Sequence, residues 1–123
     1  MLHNIKYSVT VLLVISDGDN ESHLYESLNS IVQQTSQPEF VFIVYNGTIS
    51  SSIIHRVNSF RDLLSIYTVS VQRRASFGYC LSLAIPFIST DYICRHDPDD
   101  IMVPARISVQ MQYLASNSDI DVL

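Results

Sequence analysis

Three aspartates, Asp97, Asp99 and Asp100, lie shortly after an apolar run at Tyr92–Cys94, from which Arg95 and His96 separate them. Carboxylates this close repel one another unless a cation or a ring of hydrogen-bond donors offsets their charge. A divalent ion held by one or two carboxylates keeps positions open for the phosphate oxygens of a substrate. The pattern therefore indicates a Mg²⁺ or Mn²⁺ site, or else a polar turn that caps a helix expected from Pro104.

The elements that position these aspartates are indicated by apolar runs that alternate with helical patterns, which is typical of βαβ units and a parallel sheet. The expected strands are Val9–Ile15, Phe40–Val44, Leu64–Val71 and Tyr92–Cys94. The expected helices carry the apolar series Leu24/Leu28/Ile31, Ile53/Val57/Phe60, Leu81/Ala84/Ile85 and Ile107/Met111/Leu114. Open parallel sheets bind ligands at the carboxyl ends of their strands, which is where this order places the aspartates.

The boundaries of these elements are indicated by capping residues and prolines. Asp19 or Asn20 is expected to cap the first helix, Pro38 to stop it from continuing, and Pro86 to end or kink the third helix. Asp119–Leu123 alternates polar and apolar residues like a further strand. Because no turn or polar tail follows it, we expect the chain to be part of a longer protein.

Composition restricts the possible functions. The 123 residues are 47% apolar with a formal net charge of −5, which predicts one domain with a real core and no nucleic-acid partner. Cys80 and Cys94 are expected to be reduced core thiols, as in a cytoplasmic protein. The longest apolar run, Val11–Ile15, is far shorter than the roughly 20 residues that span a bilayer, so a soluble domain is expected.

Several motifs, taken in order, resemble those of the family 2 glycosyltransferases, whose nucleotide-sugar-binding part has the GT-A fold. The segments that carry the resemblance are Glu26–Ile31, Gln34-Thr35, Tyr45–Thr48, Ser76–Ser82, Asp91–Ile101, Pro104, Arg106, Gln110 and Asp119–Asp121. The block that begins at Asp91 is the most specific, because it matches in order and in spacing. The resemblance implies a Rossmann-like three-layer α/β sandwich with a mostly parallel sheet, in which residues 1–123 form the donor-binding domain, truncated at the C-terminus.

The resemblance also implies an activity. Such enzymes transfer a sugar from a nucleotide-diphosphate donor to a glycan or lipid-linked acceptor, with inversion, in surface-polysaccharide synthesis. Mn²⁺ or Mg²⁺ is the implied cofactor, because a divalent cation stabilises the departing diphosphate. The implied location is the cytoplasm, at the inner face of the membrane, with peripheral membrane association through a part of the protein outside this chain.

The metal site follows from the same resemblance. Asp99 would ligate the metal, and Asp97 would face the donor ribose or the metal. Asp100 is expected to be structural. Arg95 is expected to pair with a carboxylate in preference to the diphosphate.

Two of the remaining donor-binding candidates, Asn46 and Ser16, depart from the family's pattern. Asn46 stands where the family has a carboxylate that accepts the imide N–H of the base, and its amide oxygen would accept that bond without charge assistance. Ser16 replaces a tyrosine on which the base stacks, so the preference for uridine is in question. Arg74, beside Arg73, is a candidate phosphate ligand, although adjacent arginines at a strand end are usually solvated.

The catalytic residue is left unassigned. Inverting members take their general base from a carboxylate in a later segment, so this chain is expected to bind a donor without transferring it efficiently. Asp17 and Asp19 are better explained by turn and capping roles.

Two alternatives come from other classes of protein. A signalling receiver domain has a similar outline but needs a lysine after its fifth strand, whereas the only lysine, Lys6, precedes the first. The other alternative is a non-catalytic nucleotide-sugar-binding or interaction module derived from the transferase fold. The substitutions at Ser16 and Asn46 keep this second alternative open.

Overall fold

The computed structural model describes residues 7–123, so Lys6 lies outside the described part of the chain. Strands and helices alternate along this part, as the sequence predicts. In chain order the elements are β1 (Val9–Ser16), α1 (Glu21–Val32), β2 (Phe40–Asn46), α2 (Ser51–Asn58), β3 (Ile66–Val71), α3 (Phe77–Ala84), a 3₁₀ helix (Ile85–Phe87), β4 (Tyr92–Arg95) and α4 (Arg106–Ser116).

The four strands form one sheet in the order β3-β2-β1-β4, and every neighbouring pair is parallel. The register places Ser16 beside Asn46 and Asn46 beside Val71, so the carboxyl ends of β1, β2 and β3 are level. The chain after β4 stays against β1, because the His96 N–H donates to the Leu12 carbonyl at 3.1 Å. The loops that follow all four strands therefore meet at one edge of the sheet.

The sheet lies between two helical layers. On one face, the β1 residues Val11 and Leu13 pack in a buried cluster with side chains of α1, α2 and α4. On the other face, Leu12 and Val14 pack against Cys80 of α3. Burial of both faces explains why β1 is apolar along almost its whole length. This arrangement confirms the predicted three-layer α/β sandwich with a parallel sheet.

The predicted strand at Asp119–Leu123 is wrong. The segment has no strand conformation, and the Ile120 N–H closes a turn by donating to the Asn117 carbonyl. A strand needs a neighbouring backbone with which to exchange hydrogen bonds, and Val122 is 88% exposed. Alternation of polar and apolar residues was therefore insufficient evidence at this position.

The observed helix boundaries differ slightly from those expected. Asn20 caps α1, because its side-chain oxygen accepts hydrogen bonds from the N–H groups of Ser22 and His23. This helix ends at Val32, several residues before Pro38. Helix α4 begins at Arg106, after a turn that contains Pro104, so the proline precedes the helix.

In the part of the chain that the structure describes, no helix combines the length and the apolar character needed to cross a membrane.

Candidate functional site

A cavity of about 440 Å³ opens at the carboxyl edge of the sheet. Its wall is formed by Asn46 at the end of β2 and by residues from the loops after β1, β3 and β4, which the parallel register brings to one edge. The lining residues are Val14, Ser16, Asp17, Gly18, Asp19, Asn46, Arg74, Ala75, Phe77, Asp97, Pro98 and Asp99. All five donor-binding candidates named from the sequence are in this set, so the fold brings them together.

The acidic turn supplies a cluster of oxygen ligands. Asp97, Asp99 and Asp100 are exposed, and each places one carboxylate oxygen within 4.8 Å of the other two. The turn is closed by the Asp100 N–H, which donates to the Asp97 carbonyl at 3.1 Å. Hard oxygen ligands at this spacing fit Mg²⁺ or Mn²⁺ with open coordination positions. Asp100, expected to be structural, therefore lies close enough to act as a third ligand.

A buried polar stripe on α1 holds the segment that contains this turn. The Ser27 hydroxyl donates to the Asp97 carbonyl at 3.1 Å and lies 2.9 Å from Nε2 of His96. Further along the helix, the Ser30 hydroxyl accepts the Met102 N–H at 2.9 Å. The acidic segment, residues 97–102, is therefore attached at both ends to one face of α1.

Gln34, in the turn that follows α1, extends this polar stripe beyond the end of the helix. Its Nε2 donates to the Val103 carbonyl at 2.7 Å, and its Oε1 accepts the Ile107 N–H at 3.1 Å. The second bond satisfies a backbone donor in the first turn of α4, a helix that has no side-chain cap of its own. Gln34 thus links the end of α1 to the start of α4.

No role for Ser27, Ser30 or Gln34 was predicted from the sequence. A signal was present for the two serines, because both are buried on the helix that carries Leu24, Leu28 and Ile31, whereas Gln34 lies just beyond the end of that helix. A polar side chain on a buried face needs a hydrogen-bond partner. The pattern indicates that partners exist, but it does not identify them.

His96 is 5% exposed and lies beside the acidic turn. Burial lowers the pKa of its imidazole, and Arg106 acts in the same direction, against the opposing effects of Asp100 and Asp97. The imidazole is therefore neutral near pH 7. Because the single hydroxyl proton of Ser27 is donated to the Asp97 carbonyl, we assign the donor hydrogen of His96 to Nε2.

Asn46 is buried, and its amide bonds at both ends to the backbone of Ala75. The side-chain oxygen accepts the Ala75 N–H at 2.8 Å, and Nδ2 donates to the Ala75 carbonyl at 3.0 Å. These bonds join the end of β2 to the loop before α3. A carboxylate cannot donate the second bond, so the structure gives a local reason for an amide at this position.

Gly47 allows that loop to approach closely. Its φ of +87° lies in the left-handed region, and an added Cβ would be 3.3 Å from both Cβ and the backbone nitrogen of Arg74. Arg74 is exposed where it lines the cavity, and among residues 7–123 no carboxylate lies within ion-pair distance of it. Its charge is therefore available to an anion.

The loop after β1 forms a compact turn. The Asp19 carboxylate accepts the Ser16 N–H at 2.7 Å, and the Asp19 N–H donates to the Ser16 carbonyl at 3.2 Å. Gly18, with φ of +96°, supplies the left-handed residue that the turn requires. Asp19 thus has the turn role expected of it, while Asp17 and Ser16 line the cavity.

Arg95 does not pair with a carboxylate in the described structure, which contradicts the expectation for it. Its guanidinium carbon lies 4.6 Å from the centre of the Phe77 ring, a cation–π contact at the start of α3. Phe77 also lines the cavity, so this stacked pair forms part of its wall.

A parallel sheet between helices, with carboxylates, an amide and an arginine around a cavity at the strand ends, is typical of nucleotide-binding α/β domains. No protein-family model matches the chain. The relatives that do match are glycosyltransferases by name. The chain is 25% identical over 111 residues to the amylovoran biosynthesis glycosyltransferase AmsE of Erwinia amylovora, covering 90% of this chain.

A second relative is the Escherichia coli UDP-Gal:alpha-D-GlcNAc-diphosphoundecaprenol beta-1,3-galactosyltransferase, 27% identical over 114 residues, or 93% of this chain. The chain spans 42% of the length of each of these two relatives.

Solved structures share the fold. S. aureus TarS 1–349 in complex with UDP-GlcNAc superposes with a TM-score of 0.80 at 16% identity, over 90% of this chain and 32% of that one. The mannosyltransferase PcManGT from Pyrobaculum calidifontis, in complex with GDP-Man and Mn²⁺, superposes with a TM-score of 0.74 at 19% identity. The match covers 91% of this chain and 33% of that one. Together with the named relatives, these likenesses confirm the predicted resemblance, and the fold is like that of the GT-A glycosyltransferases.

Proposed function

We propose that this chain is the donor-binding domain of an enzyme that transfers a sugar from a nucleotide-diphosphate donor to a glycan or lipid-linked acceptor. The observation that carries the proposal is the convergence of Asp97, Asp99, Asn46 and Arg74 on one cavity. The complexes of the structural neighbours with UDP-GlcNAc and with GDP-Man and Mn²⁺ support a donor of this class. The E. coli relative's name supports a lipid-linked acceptor.

The acidic turn is proposed to hold the metal. Asp99 and Asp97, which line the cavity, would be the ligands of Mn²⁺ or Mg²⁺, with Asp100 as a further oxygen ligand. When bound, the cation supplies the positive charge that stabilises a diphosphate leaving group. Since the chain carries a net charge of −5, local positive charge is needed to attract an anionic donor.

The other cavity residues are proposed to position the donor. Arg74 contributes a fixed positive charge for a phosphate oxygen. Asn46 holds the backbone of Ala75 and so places the adjacent arginine, while the second lone pair of its oxygen is left to accept from a base. Ser16 offers a small hydroxyl in place of an aromatic ring, which leaves room for bases other than uracil.

The complete protein is proposed to be an inverting enzyme of surface-polysaccharide synthesis that works at the cytoplasmic face of a membrane. Its general base is proposed to lie outside this chain. In the described residues, Asp19 is held by its own turn. Asp17 lines the cavity and is exposed.

Calorimetric titration of UDP and GDP, with and without Mn²⁺, tests the donor site. The variants are Asp99→Ala and the control Asp62→Ala, which removes an exposed carboxylate from the loop before β3. We expect metal-dependent binding by the wild type and by the control, and at least about tenfold weaker binding by Asp99→Ala, because a ligand to the bound charge is lost.

The same titration separates the alternatives. Equal, metal-independent binding by wild type and Asp99→Ala would show that the acidic cluster is only a polar turn. If neither nucleotide binds at millimolar concentration with Mn²⁺ present, the transferase site is wrong for this chain, and a non-catalytic interaction module is the better explanation.

A further inference from the structure

The carbonyl of Asp97 accepts two hydrogen bonds of different origin. The Asp100 N–H reaches it from within the acidic turn, and the Ser27 hydroxyl reaches it from α1, each at 3.1 Å. A carbonyl oxygen has two lone pairs, so both acceptor positions are used. The bond that closes the turn and the bond that attaches it to the helix therefore share one atom.

Ser27 has a second partner that restricts it further. Its oxygen lies 2.9 Å from Nε2 of His96, and Ser27 is completely buried. The hydroxyl therefore accepts from His96 while it donates to Asp97. This double engagement fixes the rotamer of Ser27 and the direction from which it approaches the turn.

The residue after Asp97 limits how the turn can relax. Pro98 has a fixed φ, and a residue that precedes proline is excluded from much of backbone space. If the Asp97 carbonyl loses a donor, most of any rotation towards a new partner must come from the backbone angles of Asp97 itself. Such a rotation moves the Asp97 carboxylate relative to Asp99 and Asp100.

We propose that Ser27 is a positioning residue for the carboxylate cluster, acting through the Asp97 backbone and His96 and not by contact with a ligand. The inference rests on the proposed function, because the cluster is there the metal site. Groups that orient metal ligands through hydrogen bonds commonly change metal affinity when they are removed. Ser27 is such a group, located 70 residues away in sequence from the aspartate that it holds.

The test measures Mn²⁺ and UDP affinity by calorimetry on the 123-residue chain, together with amide hydrogen exchange at Asp100. Ser27→Ala removes the hydroxyl, and Ser27→Thr retains it. Val57→Ala is a control that removes buried apolar atoms from α2, in the core cluster that also contains the α1 residues Leu24 and Leu28. Val57→Ala separates loss of stability from loss of positioning.

We expect Ser27→Ala to weaken Mn²⁺ binding about tenfold and to accelerate exchange at Asp100. Ser27→Thr should stay closer to the wild type in both measurements. Val57→Ala should lower the Tm while leaving Mn²⁺ affinity and Asp100 exchange unchanged. If Ser27→Ala does not fold, Ser27→Cys, which is similar in size but a weak donor, should show a smaller loss of the same kind.

Two failures are distinguishable. If the wild type binds UDP with Mn²⁺ but Ser27→Ala binds as tightly, or if Val57→Ala weakens binding equally, the positioning role is wrong and the donor site stands. If the wild type binds no nucleotide, the proposed function fails, and the inference about a metal site fails with it. The rate of amide hydrogen exchange at Asp100 then still shows whether Ser27 holds the turn.

Discussion

Replacing Asn46 with aspartate tests the account of this residue most directly. By the family resemblance alone, Asn46→Asp restores a charged acceptor and should strengthen binding of a uracil base. The structure predicts that the same substitution lowers the stability of the fold, because Nδ2 of Asn46 donates to the Ala75 carbonyl at 3.0 Å. An ionised carboxylate would place an oxygen against that carbonyl, at a position only 4% exposed.

The expected loss of stability has two causes. One hydrogen bond disappears, and the Ala75 carbonyl is left facing a buried negative charge, which together cost about 2 to 4 kcal/mol in the free energy of unfolding. The introduced carboxyl should have a raised pKa in the folded state. The penalty is then present above that pKa and is relieved as the pH falls towards the unfolded value of about 4, where a protonated carboxyl donates again.

Urea unfolding of wild type and Asn46→Asp at pH 7 and at pH 4.5 measures both effects. Asn117→Asp is a matched control, because it removes a similar bond, from Nδ2 to the Tyr113 carbonyl at 2.8 Å, at an exposed site. The control should lose less than about 1 kcal/mol. If Asn46→Asp is as stable as the wild type at pH 7 and binds UDP more tightly, the structural reasoning is refuted and the comparison with the family is the better guide.

Two further predictions concern backbone conformation and thiol reactivity. Gly47→Ala should lower the free energy of unfolding by about 1 to 3 kcal/mol, because it strains a left-handed backbone and places the new Cβ 3.3 Å from atoms of Arg74. Gly18→Ala should cost less, because nothing lies within 4 Å of its added Cβ. Equal costs in urea unfolding would contradict the crowding argument. Burial raises the pKa of the Cys80 and Cys94 thiols, so both should resist iodoacetamide at pH 7.5 until the chain unfolds. Mass spectrometry measures the labelling. If the folded protein is labelled as fast as the unfolded protein, these thiols are accessible and the prediction is wrong.

The sequence predicted the fold because the signal for it is local. Strands buried on both faces appear as continuous apolar runs, such as Val11–Ile15, and helices appear through their periodicity. Once all strands are parallel, their following loops must meet at one edge, so the grouping of Ser16, Asn46 and Asp97 needed no knowledge of tertiary contacts.

The details of the site could not be predicted because they depend on distant partners. The bonds between Asn46 and Ala75 join residues 29 positions apart, and no local pattern distinguishes an amide held by backbone from one that faces a ligand. Arg95 was expected to pair with a carboxylate, whereas its guanidinium lies over the Phe77 ring, a contact between residues 18 positions apart that no local pattern shows. The polar residues of α1 were visible in the sequence, but their partners lie across the domain.

The polar stripe of α1 has a consequence for folding kinetics. Its bonds to the acidic segment and to α4 join residues that are 69, 70, 72 and 73 positions apart. Contacts of such length form late, because a long loop must close before they contribute. The acidic cluster is therefore expected to become organised only when most of the domain is folded, and a cation that needs this arrangement would bind the folded state selectively. By mass action, Mn²⁺ at about 100 times its Kd would add roughly 2.7 kcal/mol to the free energy of unfolding, so a thermal melt in the presence of the metal would also report how well the acidic turn is formed.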